Sequence, residues 1–163
     1  VSTYFSSHNV GGSNIVTTGA LDSGSITSGF GNIDTGSSTI TTTGAVATGD
    51  ITATGIVLAT TDTDATNTGS VTLDFSANQN FVLTLTGNVT LANPSTENVG
   101  QSGFIAFIQD GTGSRTITLG TDYETAAAAG ITLTSTASAT DLVPYLVVAS
   151  NRILLGTPQL AFA

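Results

Sequence analysis

The sequence has no cysteine, no methionine, no tryptophan and no lysine. Without cysteine there can be no disulfide staples, thiolate zinc sites or thiol nucleophiles. Without lysine there is no Schiff-base nucleophile and no Walker phosphate loop. Basic groups are reduced to Arg115, Arg152 and the single His8, against 11 acids, giving a net charge of −9 over 163 residues. Such a chain offers no electrostatic footprint for a phosphate backbone and is repelled by anionic lipid, so neither nucleic acid nor a membrane surface is an expected partner. The longest apolar run, residues 142–149, contains Pro144 and falls far short of the roughly 20 residues of a membrane helix. No membrane insertion is expected. No positively charged leader precedes an apolar stretch, so no signal peptide is expected, and the start at Val1 is that expected of a processed or partial product.

In place of charge there are 49 Ser or Thr and 19 Gly, with 43 Leu, Ile, Val or Phe to build a core. The surface must be hydroxyl and amide. Composition changes near residue 69: residues 1–69 hold 37 Gly, Ser or Thr and only 15 of the bulky apolar residues, and residues 70–163 hold the other 28. In the first part Leu21, Ile26, Ile33, Ile40, Val46, Ile51 and Ile56 recur five to seven residues apart, punctuated by glycines. Gly and β-branched residues disfavour a helix, and short extended pieces joined by Gly turns fit better. Units that bury so little alone gain stability when neighbouring units or several chains pool their apolar stripes. The expectation is an elongated, homo-oligomeric, repetitive β-stalk whose core is those seven residues. A disordered low-complexity linker is the alternative reading of the same residues.

Residues 59–69, ATTDTDATNTG, have little to pack and read as a junction. Beyond them, residues 70–76 alternate Val71, Leu73 and Phe75 with polar residues, predicting a strand. A second strand is predicted at 81–86 with Phe81, Leu83 and Leu85 inward, and a short third at Val89 and Leu91, stopped by Asn93 and Pro94. Residues 104–109, FIAFIQ, are apolar on both faces and are followed by Asp110-Gly111-Thr112-Gly113 and the alternating RTITL. These predict a hairpin whose first strand lies deep in the assembly. A brief helical turn is expected over 123–129, strand again over 131–134, and a final hairpin of 142–149 with 152–155 around Ser150-Asn151. About seven short strands predict an all-β fold, the stalk being followed by a compact β-sandwich or jelly-roll-like domain.

Catalytic chemistry finds little support. His8 is the only imidazole, and no nucleophile elbow accompanies it. Asp62 and Asp64 form a DTD pair without neighbouring ligands, and the Asp110 loop lacks the longer calcium-loop pattern, so no metal is expected. Glu97 and Glu124 could serve glycoside hydrolysis only if folding set them about 5 to 10 Å apart across a cleft. Arg115 and Arg152 each open a predicted strand and can pair with Asp110, Asp122 or Asp141, within a subunit or between subunits, or hold an acidic sugar. Tyr4, Tyr123, Tyr145, Phe30 and Phe104 offer aromatic contacts. Interface or ligand contacts are thus assigned to Arg115, Arg152, Tyr123 and Tyr145. Asn88-Val89-Thr90 matches a glycosylation acceptor, which matters only in a secretory host.

Three phrases, LDFSANQNFVLTLTGNVTLANP at 73–94, GQSGFIAFIQDGTGSRTITLG at 100–120 and VPYLVVASNRILL at 143–155, resemble a domain of tail fibres and related structural proteins of tailed bacteriophages, especially phages of aquatic bacteria. Residues 19–44 are similar to the repetitive shafts that precede such domains. The resemblance implies a homotrimeric virion appendage: a shaft or particle-attachment segment over 1–58, the junction at 59–69 and a β-rich head over 70–163. Its expected partners are copies of itself, other virion proteins and a host-surface glycan. It implies no catalytic residue set, metal or cofactor. Structural attachment leads, on the tail or as a capsid fibre, with a host-carbohydrate receptor-binding module as the alternative.

Overall fold

The structure is a computed structural model and describes residues 33–162. The chain divides into two units, Val1–Ile51 and Thr52–Ala163. In the second, eight strands are formed: β1 (Thr61–Thr72), β2 (Asn80–Ala92), β3 (Ser102–Gln109), β4 (Ile117–Leu119), β5 (Tyr123–Glu124), β6 (Thr140–Ala149), β7 (Arg152–Leu155) and β8 (Gln159–Phe162). They make one sheet in the order β1-β2-β3-β6-β7-β5, with β4 added to β2 and β8 to β6. The sheet curls into a half-barrel.

The pleat explains the core. In β2, alternate residues Phe81, Leu83, Leu85, Val89 and Leu91 are all buried, as a period of two requires when one face is inward. Parallel pairing with β3 aligns Phe81 with Ile105, and antiparallel pairing with β6 aligns Ile105 with Val143, so one row of three fully buried side chains crosses three strands. Leu83 and Phe107 begin the next row. The two strands predicted at 81–86 and 89–91 are one strand. Gly87 keeps the inward phase between Leu85 and Val89, and a Cβ there would collide with the Thr68 side chain, in the stretch where β1 bulges against β2.

Parallel neighbours require the chain to travel back the length of a strand, usually through a crossover of about a dozen residues or more. Between β1 and β2 only residues 73–79 are available. They do not form the predicted strand: β1 ends at Thr72, opposite Ala92 where β2 also ends. Leu73 and Phe75 are nevertheless buried. The Phe75 ring centroid lies 4.9 Å from that of Phe81 and 5.1 Å, edge-on, from that of Tyr145. The Asp74 carboxylate accepts from the Ser76 N–H at 2.9 Å and hydroxyl at 2.6 Å, which turns the chain.

Four expectations need correction. The domain is neither a sandwich nor a jelly roll: among the described residues no second sheet closes the core. Leu73 and Phe75, with the partly buried Ile131 and Leu133, pack there from non-strand segments, and 131–134 is therefore not a strand. FIAFIQ and RTITL do not form a hairpin. The buried Gln109 amide donates to the Arg115 carbonyl and accepts from the Arg115 N–H, at 2.9 and 2.8 Å. This side chain takes the backbone's role at the end of β3, and the following strand β4 pairs with Val89–Leu91 of β2 instead. The helical turn over 123–129 shrinks to a 3-10 turn at Ala126–Ala128 after the two-residue β5. The final hairpin forms as expected, with Asn151 in the left-handed region at φ 56°.

Thr61–Thr72, where the sequence offers little to pack, forms β1, and Asn67 is buried in it. Its Nδ2 donates to the carbonyls of Asp64 and Thr84, bridging the bulge between the strands. As an edge strand rich in Thr and carrying Asp62 and Asp64, β1 discourages pairing with foreign strands.

Among the described residues of the first unit, 33–51, there is no strand, and every residue is exposed. Asp34 accepts from the Gly36 N–H at 2.8 Å, and the Ser38 N–H donates to the Thr35 carbonyl at 3.0 Å, closing a turn with Gly36 at φ 57°. The β-stalk is thus absent from the single chain in this stretch. One apolar residue every five to seven gives a lone strand no face to bury. Leu21, Ile26, Tyr4, Phe30 and His8 lie outside the described residues.

Candidate functional site

Two corners of the sheet carry the arginines. Arg115, just before β4, donates through Nε and Nη2 to Asp110 Oδ2 at 3.1 and 2.7 Å. The other Asp110 oxygen accepts from the Thr112 and Gly113 N–H groups. Together the guanidinium and these N–H groups hold the Asp110 carboxyl down at about 2. Arg152, opening β7, donates to both oxygens of Glu124 on β5, at 2.8 and 3.1 Å. That pairing lowers the Glu124 carboxyl and raises the guanidinium. Both arginines therefore spend their charge within the chain, and both oxygens of Glu124 are engaged by Arg152.

Tyr123 and Tyr145 face the interior. Burial first, then the nearby charges of Asp122 and Glu97, pushes the Tyr123 phenol well above its ordinary value. Its hydroxyl and Glu97 Oε1 are both buried, and neither has a hydrogen-bond partner among the described residues. Tyr145 donates to the Gln79 carbonyl at 2.6 Å, and burial raises its phenol too. Asp141, at the foot of β6, is buried and accepts from the Thr134 N–H and hydroxyl and from the Ala161 N–H, at 2.6, 2.7 and 2.9 Å. It ties the C-terminal strand to the sheet.

The strand alternation that buries Ile105 and Phe107 turns Phe104 outward, where its ring is 46 % exposed. It borders a groove of about 420 Å³ where the start of β2, the start of β3 and the middle of β6 meet. Asn80 Oδ1 accepts from the Phe104 N–H at 3.1 Å, and Gln79 Nε2 donates to the Ser102 carbonyl at 2.9 Å. Gly103 lies between them. A Cβ there would collide with the Gln79 carbonyl and stand 2.9 Å from Asn80 Oδ1.

Of the residues assigned from sequence, the structure pairs Arg115 with Asp110 and Arg152 with Glu124, and brings Tyr145 to the groove. It does not bring the arginines to that groove. Sequence reading missed Gln109, Gln79 and Asn80, and offered Asp141 only as a partner for an arginine, whereas the structure gives that carboxylate to Thr134 and Ala161. Gln109 had a signal: alternation from Ile105 and Phe107 places its amide on the buried face, where it must find partners.

No group of three or more metal-ligating side chains occurs among the described residues, and no helix there is long and apolar enough to cross a membrane. The fold is that of a β-rich module built on one curled sheet. The model of a family described as a phage tail fibre C-terminal domain matches residues 65–149, just over half of the chain, from within β1 to the end of β6. The chain belongs to that family, whose members are non-catalytic fibre domains. No curated protein and no solved structure matches it.

Proposed function

We propose that the chain is a structural fibre or spike component of the phage virion, that it acts as a homotrimer, and that residues 1–58 form the shaft or particle-attachment segment while the β-rich unit is the head it presents. The observation that carries this reading, beyond family membership, is the row of exposed apolar side chains ahead of β1. Ile33, Ile40, Val46, Ile51 and Ile56 are 62 to 88 % exposed in the single chain. Isoleucines left in water at regular intervals lose the stabilisation that burial brings, about 1.5–3 kcal/mol for each side chain fully covered. Parallel copies would cover them, and the only ionisable groups between residues 33 and 58 are Asp34 and Asp50, so close approach meets little like-charge repulsion. Other virion proteins are the expected partners at the attached end.

A subunit-resolved density map of the intact particle tests this. The expected result is three copies around one axis on an appendage, with Ile33 to Ile56 turned towards it. Single copies with those residues facing solvent contradict it.

A further inference from the structure

We propose that the groove beside Phe104 is a binding site for a neutral sugar ring. A pyranose presents an apolar C–H face and a rim of hydroxyls, so a site for one needs an exposed aromatic face with uncharged donors and acceptors next to it. The groove supplies both. Phe104 is the exposed aromatic, with Pro144 across from it on the neighbouring strand in direct register. Beside them, Asn80 uses its Oδ1 and Gln79 its Nε2 in holding β2 to β3. Among the described residues this leaves Asn80 Nδ2 as a donor, Gln79 Oε1 as an acceptor and the Ser102 hydroxyl as either. The amides are fixed by their other ends, so little rotamer freedom is lost on binding. Gly103 lets residues 79–80 approach β3 closely enough for these amides to be held beside Phe104, since any side chain there would run into Gln79 and Asn80.

Charge selects the sugar class. No carboxylate or guanidinium lines the groove, both arginines are paired elsewhere, and the chain carries −9 overall. An anionic sugar would meet repulsion with no compensating cation; a neutral hexose or N-acetylhexosamine would not. At about 420 Å³ the groove is near the small end of the roughly 300–1,000 Å³ usual for ligand sites, which suits one or two rings. The proposal rests on the fibre reading only for the source of the sugar, a host-surface glycan.

The test titrates the full chain with glucose, galactose, mannose, N-acetylglucosamine and the anionic N-acetylneuraminic acid, followed by NMR. At least one neutral sugar should give saturable shifts centred on the Phe104 ring and the Asn80 side-chain amide, and the anionic sugar none. Phe104→Leu, which keeps an apolar side chain but removes the flat face, should weaken binding roughly tenfold, the loss of about one stacking contact. Leu154→Ala, at an exposed position on β7 outside the groove, should leave it unchanged. Melting temperatures establish that both variants fold. No saturable binding of any neutral sugar, equal binding by Phe104→Leu, or a fall in oligomer mass in that variant would each overturn the proposal. The first two leave the fibre reading standing; the third would make the groove a contact between copies.

Discussion

Ile105 and Ile56 are the same residue, yet the first is fully buried and the second is 88 % exposed. The difference lies in what surrounds them. Ile105 sits in a strand whose neighbours offer Phe81 and Val143 at the same level, and buried side chains recur at every second position along β2, β3 and β6. Ile56 belongs to a series with one apolar residue in five to seven. A period of two fills a face that one chain can cover by folding; a sparser series has no such face and gains only from other chains. Under the proposed trimer, the two regions divide the work of stability between folding and association.

Folding is most sensitive at Phe75. Phe75→Ala removes a ring packed on Phe81 and Tyr145 from the segment closing the core, and should cost roughly 3–5 kcal/mol in urea unfolding. Asp141→Ala comes next. It removes the buried carboxylate that accepts from the Thr134 N–H and hydroxyl and from the Ala161 N–H, at about 1.5–3 kcal/mol, and hydrogen exchange should show β8 opening first. Gly103→Ala should cost about 1–3 kcal/mol by overpacking between β2 and β3. At Asp110 the effect is one of pH. Its folded value is held at about 2, below the ordinary 3.8, so the pairing stabilises the fold above the ordinary value and is lost as pH falls through the folded one. The Gly113 amide signal should shift over that interval and stay constant above it. Smallest of all, Ile40→Thr with Ile51→Thr should change the unfolding free energy of the β-rich unit by no more than about 0.5 kcal/mol, while lowering the mass of the assembly. A large loss of stability in the β-rich unit would show that the two regions are not separate in the way described.

Much of the inward face was legible. Phe81, Leu83 and Leu85 follow directly from alternation, as do Leu73 and Phe75 as buried residues, and Ser150-Asn151 marks the last turn. Pairing was not legible, because alternation says which face a residue takes but not which strand lies beside it. Asp110-Gly111-Thr112-Gly113 reads as a hairpin turn, but its carboxylate closes the same loop without one, and Gln109 then hands the chain to β2. Nor does any spacing reveal that Leu73 and Phe75 reach the core from outside the strands. For the site, the Arg115–Asp110 pairing was among the sequence options, but the Phe104 groove was not. It exists only because parallel pairing sets Gln79 and Asn80 against Ser102–Phe104, some 24 residues further along the chain.

In the proposed trimer the isoleucines exposed in one chain are covered by others. Its most direct test is the mass of the full chain in solution by sedimentation, over a range of concentrations. The account predicts a species of three times 16.2 kDa that dissociates when Ile33, Ile40, Val46, Ile51 and Ile56 are all changed to threonine. A species of 16.2 kDa at every concentration, or a trimer unaffected by those changes, would contradict it.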